Sequence, residues 1–118
     1  MKIIVGAIVL GIAALGGGNA AAETYAAIAF SEVNGYYGYA KNYGTRDEAE
    51  ERALQECGES CEIVIWARDA CAALFAGDGN GYGVSWAATE KEAVQNAAVE
   101  CDARTSACEL KTAVCSAD

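Results

Sequence analysis

The sequence predicts an α+β domain of two fused strand–strand–helix–strand repeats that form one mixed sheet, with two helices on one face and disulfides as staples. A helix start at residues 45–49 precedes Cys57. A related helix start at residues 89–93 precedes Cys101 at the same spacing. An Asn-Gly turn and a Tyr-Gly pair precede each helix, and two further cysteines follow it. This duplication, together with the even cysteine content, predicts a small stapled domain.

The first residues have the features of an export signal rather than of a folded element. Lys2 is followed by an apolar run from Ile3 to Leu15, and Ala20 to Ala22 form a small-residue cleavage site. The run is too short for a membrane-spanning helix, which needs about 20 apolar residues. We therefore expect a signal peptide at residues 1–22, a periplasmic or secreted product, and no membrane insertion after cleavage.

The remaining residues, 23–118, are expected to form a single domain of two repeats, at about 25–71 and 72–116. The first repeat begins with a predicted hairpin, in which residues 25–31 and 36–43 are strands and Asn34-Gly35 is the turn. Alternation along the second strand is expected to place four side chains on one face. These are Tyr37, Tyr39, Lys41 and Tyr43.

A capping box predicts where each helix begins. Thr45 with Glu48 marks the first helix, and Thr89 with Glu92 marks the second. Between Cys61 and Cys71 lies an uninterrupted apolar run, and a strand that is apolar on both faces is expected in the middle of a sheet.

The second repeat has the same predicted order. Residues 72–77 and 82–88 are expected to be strands joined by a turn at Asp78 to Gly81. Residues 108–115 form a shorter and more polar segment than the apolar strand of the first repeat, so we expect an edge strand there. The return strand should place Tyr82, Val84 and Trp86 on one face.

The cysteines are expected to be oxidised, because an even number of them in a short exported chain is typical of a disulfide framework. The six are Cys57, Cys61, Cys71, Cys101, Cys108 and Cys115. The simplest arrangement that respects the repeat has local bridges Cys57–Cys61 and Cys101–Cys108 and a bridge between the repeats, Cys71–Cys115. A symmetric exchange of partners between the halves is an open alternative. A zinc site is not expected, given export and the absence of histidine.

Charge and composition disfavour several classes of function. The net charge of −9 repels nucleic acid and anionic membrane surfaces. The absence of histidine removes imidazole-dependent catalysis. The turn from Asp78 to Gly83 resembles the start of a calcium loop, but Thr89 stands where such a loop needs its bidentate Glu. We therefore predict no cofactor and no metal.

Aromatic side chains are the candidate binding residues. They crowd the two return strands and the end of the apolar strand, where they either pack across strands or form an exposed recognition surface. The choice depends on which sheet face the helices cover. The candidate partner-binding residues are Tyr37, Tyr39, Tyr43, Trp66, Arg68, Tyr82 and Trp86.

The chain also resembles a known family. The motifs that carry the resemblance are Tyr25 to Ser31, Gly38-Tyr39, Asn42-Tyr43, Thr45 to Ala49, Cys57, Cys61, Val64 to Trp66, Cys71 to Leu74, Tyr82-Gly83, Trp86, Glu92-Ala93 and Cys101. Together they resemble the DUF4189 family of small exported bacterial proteins of uncharacterised function. The resemblance implies a secreted, disulfide-containing domain and provides no catalytic residues. Ala72 departs from the Gly that members often have after the third cysteine.

The expected function is that of a non-enzymatic, exported protein-binding module, of the inhibitor or immunity type. A glycan-binding or envelope-associated module is the alternative, because aromatic rings also stack on sugars. A carboxylate-based hydrolase is the weakest hypothesis, since most acidic residues lie at helix starts or in polar loops, where solvation explains them.

Overall fold

The structure is a computed structural model and describes residues 22–117. The predicted signal peptide therefore lies, except for its last residue, outside the described residues. The first half of the fold consists of strand β1 (Tyr25–Phe30), strand β2 (Tyr37–Tyr43), helix α1 (Arg46–Cys57) and strand β3 (Glu62–Arg68). The second half consists of strand β4 (Cys71–Ala76), a 3₁₀ turn (Asp78–Asn80), strand β5 (Tyr82–Ala87), helix α2 (Glu90–Asp102) and strand β6 (Glu109–Cys115).

The prediction of an α+β fold is confirmed, but the prediction of one mixed sheet is wrong. The strands form two separate three-stranded sheets with the orders β2-β1-β3 and β5-β4-β6. Every pairing in them is antiparallel. Both halves have the same order of elements and of strands, while the internal duplication itself stays a prediction.

The two helices lie on opposite outer sides of the molecule, so the prediction that they share one face is also wrong. Helix α1 packs on the first sheet and α2 on the second, and the sheets pack against each other with β1 over β4, β2 near β6 and β3 near β5. The physical reason is that β1 and β4 are apolar on both faces. Each therefore needs a helix on one side and the other sheet on the other.

Three apolar clusters fill the layers. The inter-sheet core is formed by Ala26, Ile28, Phe30, Ala67, Ala70, Ala72, Leu74, Ala76 and Val114. The alternate residues of β1, Ala27 and Ala29, pack instead against α1 through Ala49 and Ala53. In the second half Ala73 packs against Ala93 and Ala97 of α2. Alanine at these positions lets each helix lie close to its sheet.

Strand β3 differs from its predicted place. Its apolar residues favoured the middle of a sheet, but β3 pairs with β1 alone and is an edge strand. Helix α1 covers one face of β3 and the second sheet covers the other. The strand therefore has two covered faces although it has a neighbouring strand on only one side. An apolar strand sequence indicates that both faces are covered, but it does not indicate whether strands pair with both edges. The prediction that β6 is an edge strand is confirmed.

The three predicted disulfide pairs, Cys57–Cys61, Cys71–Cys115 and Cys101–Cys108, are confirmed, and the symmetric exchange is not what forms. The prediction that Cys71–Cys115 joins the two halves is wrong. Cys71 is the first residue of β4 and lies directly opposite Cys115 in β6. Both strands belong to the second sheet, because the chain crosses between the sheets at Asp69 and Ala70, just before Cys71.

Polar contacts at Ser116 connect the halves at one end of the molecule. The buried Ser116 hydroxyl accepts a hydrogen bond from the Ala70 N–H at 3.0 Å and one from the Thr24 hydroxyl at 3.2 Å. The Ser116 carbonyl accepts from the N–H of Asn42, in β2, at 2.9 Å. The two halves are therefore held by the inter-sheet core and by this serine, without a sulfur bridge between them.

Candidate protein-binding groove

The helices begin as predicted, and their position decides which sheet faces they cover. The Thr45 hydroxyl accepts the Glu48 N–H at 3.1 Å, and the Thr89 hydroxyl accepts the Glu92 N–H at 3.2 Å. A Cβ atom at Gly38 would lie 2.6 Å from the Ala53 carbonyl oxygen of α1. A Cβ atom at Gly83 would likewise meet the α2 backbone. The helices therefore cover the glycine face of each return strand, and the aromatic residues next to those glycines lie on the other face.

Two predicted tyrosines are exposed on the outer strand of the first sheet. Tyr37 and Tyr39 in β2 are 40% and 46% exposed. Tyr43 does not share their face, because it packs against the α1 cluster. The change of face follows from an extra residue in β2 near Asn42, whose φ of 66° breaks the strand alternation.

Three other predicted residues come together at the β3 edge of the first sheet, opposite β2. They are Trp66, Arg68 and Trp86. A groove of about 390 Å³ runs along β3 from Val64 to Arg68, with Trp86 of β5 on its other side. We call this the tryptophan groove. Trp86 is 62% exposed, an unusual state for so large an apolar side chain. The groove joins residues from the two halves of the chain because β3 lies against β5.

The Trp66 ring is fixed from the helix side. The Arg46 guanidinium, at the start of α1, lies 4.2 Å from the centroid of the Trp66 ring, and the ring of Tyr25 lies 6.3 Å away. Arg46 also donates to Glu50 at 2.8 Å, so the guanidinium has a second anchor. These contacts hold Trp66, which is one of the residues that line the groove, on the α1 side of β3.

Arg68 is the charged residue of the groove. Its side chain is 56% exposed and lies 3.7 Å from the Glu23 carboxylate. A long, solvent-exposed ion pair of this kind contributes little to stability. Arg68 can therefore exchange Glu23 for a carboxylate on a bound partner.

Tyr82 does not belong to either exposed surface. Its ring packs 5.1 Å from that of Phe30, next to the inter-sheet core, and the Arg104 guanidinium lies 5.9 Å from its centroid. Tyr82 therefore joins the first sheet to the second and has a structural role.

A second depression lies between β2 and α1. It measures about 340 Å³. Its lining residues are Gly38, Tyr39, Ala40, Lys41, Tyr43, Arg52 and Glu56. Arg52 and Glu56 of α1, which both line it, form an ion pair at 2.6 Å. Tyrosine residues and charged residues thus line the same depression.

Sequence reasoning missed two features of the tryptophan groove. Val64 and Ile65 line it, although the apolar run predicted a strand with neighbours on both sides. The Arg46 guanidinium lies over the Trp66 ring, a contact that was not predicted. Neither feature has a local signal, because both depend on how the two sheets stack.

Two kinds of feature, a metal-binding cluster and a membrane-spanning helix, are absent from the described residues. Between residues 22 and 117 no three or more acidic or cysteine side chains are grouped so as to hold a metal ion. Nor does that part of the chain contain a helix long and apolar enough to cross a membrane.

A family model described as a domain of unknown function, DUF4189, matches residues 25–115, which span both sheets and both helices. The chain belongs to the DUF4189 family. This DUF4189 domain is 40% identical over 77 residues to the protein Rv1269c of Mycobacterium tuberculosis and to the protein Mb1300c of Mycobacterium bovis. The match covers 63% of this chain, and the chain spans 61% of the length of these curated relatives. No solved structure matches it.

Proposed function

We propose that this DUF4189 protein is an exported, non-enzymatic module that binds another protein in the tryptophan groove, in the manner of an inhibitor or immunity protein. One observation carries the proposal. Trp66, Arg68 and Trp86, which lie in different halves of the chain, line one groove. Tryptophan and arginine are enriched among the residues that dominate binding energy at protein interfaces.

The exposure of Trp86 supports this proposal. Its strand neighbours Tyr82 and Val84 pack into the inter-sheet core, while the Trp86 side chain remains largely in solvent. Exposing so large a ring leaves apolar area in water, which burial against a partner would remove at about 25 cal/mol per Å². The fold does not need this ring for its core, so a partner is the better explanation for its presence.

The acidic character of the chain supports a protein partner with a basic surface. At a net charge of −9, the domain attracts cationic surfaces over a distance of about 8–10 Å at physiological salt. Capture of such a partner should weaken as the ionic strength rises.

The test is capture of the native partner by the mature protein. Immobilised wild-type domain should recover one dominant protein from an extract of the exported fraction, and Trp86→Ala should lose it. Tyr36→Ala is the matched control, because Tyr36 is 63% exposed and lies outside the groove. Recovery unaffected by Trp86→Ala, with both variants folded by circular dichroism, would refute the groove as the binding site.

Export is part of the same proposal. The matured protein should begin at Glu23 and should be found outside the cytoplasm with no free thiol. N-terminal sequencing and thiol labelling of the protein from its native host check both points. Recovery of an uncut chain from the cytoplasm would contradict export.

Glycan binding is the second candidate, and the depression beside Tyr39 favours it. Sugar-binding sites combine an aromatic ring for stacking with polar groups for hydroxyls, and this depression is lined by Tyr39 and Tyr43 together with the Arg52–Glu56 ion pair. Binding here should be lost in Tyr39→Ala and should respond little to salt. Protein capture in the tryptophan groove should show the opposite behaviour in both respects.

A further inference from the structure

The floor of the tryptophan groove is an unpaired strand edge. Strand β3 pairs with β1 on one side. Within residues 22–117, no hydrogen bond reaches the backbone of β3 from any other element. The outward N–H and C=O groups of β3 therefore face the groove with solvent as their partner.

Between its two ends, this edge carries little protection against strand addition. Natural edge strands are kept apart by charged residues, proline, short length or bulges. Strand β3 has seven residues, with the charged Glu62 and Arg68 at its ends and the apolar residues Ile63 to Ala67 between them. Its one irregularity is a register shift near Ile65. The edge strand β6 also carries a charge inside the strand, at Lys111. The apolar stretch of β3 is therefore open to pairing with another strand.

We propose that the tryptophan groove receives an extended segment of the partner protein, which adds to the first sheet as a further strand beside β3. This inference rests on the proposed function and specifies its mode of recognition. Main-chain hydrogen bonds to the edge would provide affinity, and alternate side chains of the segment would provide specificity.

The chemistry of the segment follows from the two faces of β3. Ile65 and Ala67 face the inter-sheet core, on the side where Trp86 lies. Side chains of the added strand on this face would therefore contact Trp86 and should be apolar. Because directly paired residues share a face, Arg68 lies on the same side as its partner Tyr25, towards α1.

The residue that lies across from Arg68 should be acidic. A carboxylate there would replace the exposed Glu23 pair, which is 3.7 Å long. This single contact does not conflict with a basic partner surface, since the long-range field steers the approach and the contact residue sets the register. The occupant is thus an extended segment, apolar towards Trp86 and with one carboxylate across from Arg68.

Binding of a defined peptide to the mature domain tests the inference. The probe is a capped heptapeptide of alternating valine and threonine with one glutamate placed to face Arg68. The control is the same peptide with N-methyl groups on the amides that would donate to β3. Amide hydrogen exchange by NMR is the measurement, since only strand addition protects the outward amides of β3.

We expect the probe at millimolar concentration to slow exchange of outward amides within residues 64–68 about tenfold, which corresponds to about 1.4 kcal/mol. The N-methylated control should give no protection. Replacing the peptide glutamate with lysine should weaken binding about threefold, as for an exposed ion pair, and Arg68→Glu should reverse that preference.

Three outcomes would overturn the inference. No protection by the probe, while Trp86→Ala still abolishes partner capture, would mean that the groove binds by another mode, and the proposed function would stand. Equal binding of the N-methylated peptide would show apolar capture without strand addition. Protection of residues 64–68 without peptide, rising with protein concentration and accompanied by a doubled mass, would identify a second copy as the occupant.

Discussion

Cys71 and Cys115 lie directly opposite each other on the neighbouring strands β4 and β6, so the longest-range disulfide closes the second sheet upon itself. The other two bridges are also local to one half, since they join the end of each helix to the segment that follows. The disulfides therefore stabilise each half separately, and the inter-sheet core and the contacts at Ser116 join the two halves.

The disulfides should differ in their contribution to stability. Cys71–Cys115 closes 44 residues and Cys57–Cys61 closes four. Chain-entropy reasoning gives a loss of about 4 kcal/mol for replacing the first pair with alanine and about 2 kcal/mol for the second. Urea unfolding of the two double-alanine variants measures the difference. Equal losses would show that loop closure is not what these bridges contribute.

Ser116 should matter more than other serines. In Ser116→Ala the Ala70 N–H loses its buried acceptor, so the free energy of unfolding should fall by about 1–3 kcal/mol. Ser106→Ala is the control, because Ser106 donates to an exposed Asp78 carboxylate and should change stability by no more than about 0.5 kcal/mol. If both variants melt alike, the contacts at Ser116 are not what ties the halves.

Gly38 should not tolerate a side chain. An added Cβ would lie 2.6 Å from backbone atoms of α1, so Gly38→Ala should destabilise the fold by about 1–3 kcal/mol through overpacking. Gly44→Ala is the matched control, since no atom lies within 4 Å of its Cβ position and its backbone is not left-handed. Thermal unfolding of both variants decides. A stable Gly38→Ala would mean that α1 can move away from β2 at little cost.

Leu74 should show that the inter-sheet core holds the molecule together. It is fully buried between the sheets, so Leu74→Ala should cost about 2–5 kcal/mol. Leu110 in β6 is 48% exposed, and Leu110→Ala should cost no more than about 0.5 kcal/mol. Chemical denaturation checks both values. A mild Leu74→Ala would indicate that the sheets depend on other contacts.

Several features were readable from the sequence because they depend on neighbours along the chain. The capping residues Thr45 and Thr89 located both helices, since a cap hydroxyl bonds to an N–H three residues on. The Asn34-Gly35 turn located the first hairpin, where Gly35 has the positive φ of 79° that such a turn requires. The repeated order of the cysteines favoured the three pairs that form as the simplest arrangement, while a symmetric exchange of partners stayed open from the sequence.

The candidate site was predicted as a set of residues but not as a surface. Trp66, Arg68 and Trp86 meet because β3 lies against β5, whereas Tyr37 and Tyr39 lie at the other edge of the first sheet and Tyr82 packs beside Phe30. Local alternation gives the face of a side chain within its strand. It does not say which strand will lie opposite.

The sequence by itself determined the α+β class, the order of elements and the helix starts, because each follows from hydrogen bonding or spacing within a short stretch of chain. Only the tertiary structure decided that there are two sheets rather than one, that the helices lie on opposite sides, and that β3 is an edge. The physical reason is that apolar burial is non-directional. An apolar strand such as β1 or β3 is stabilised by any apolar surface that covers its faces. Which surface does so depends on how the whole chain packs.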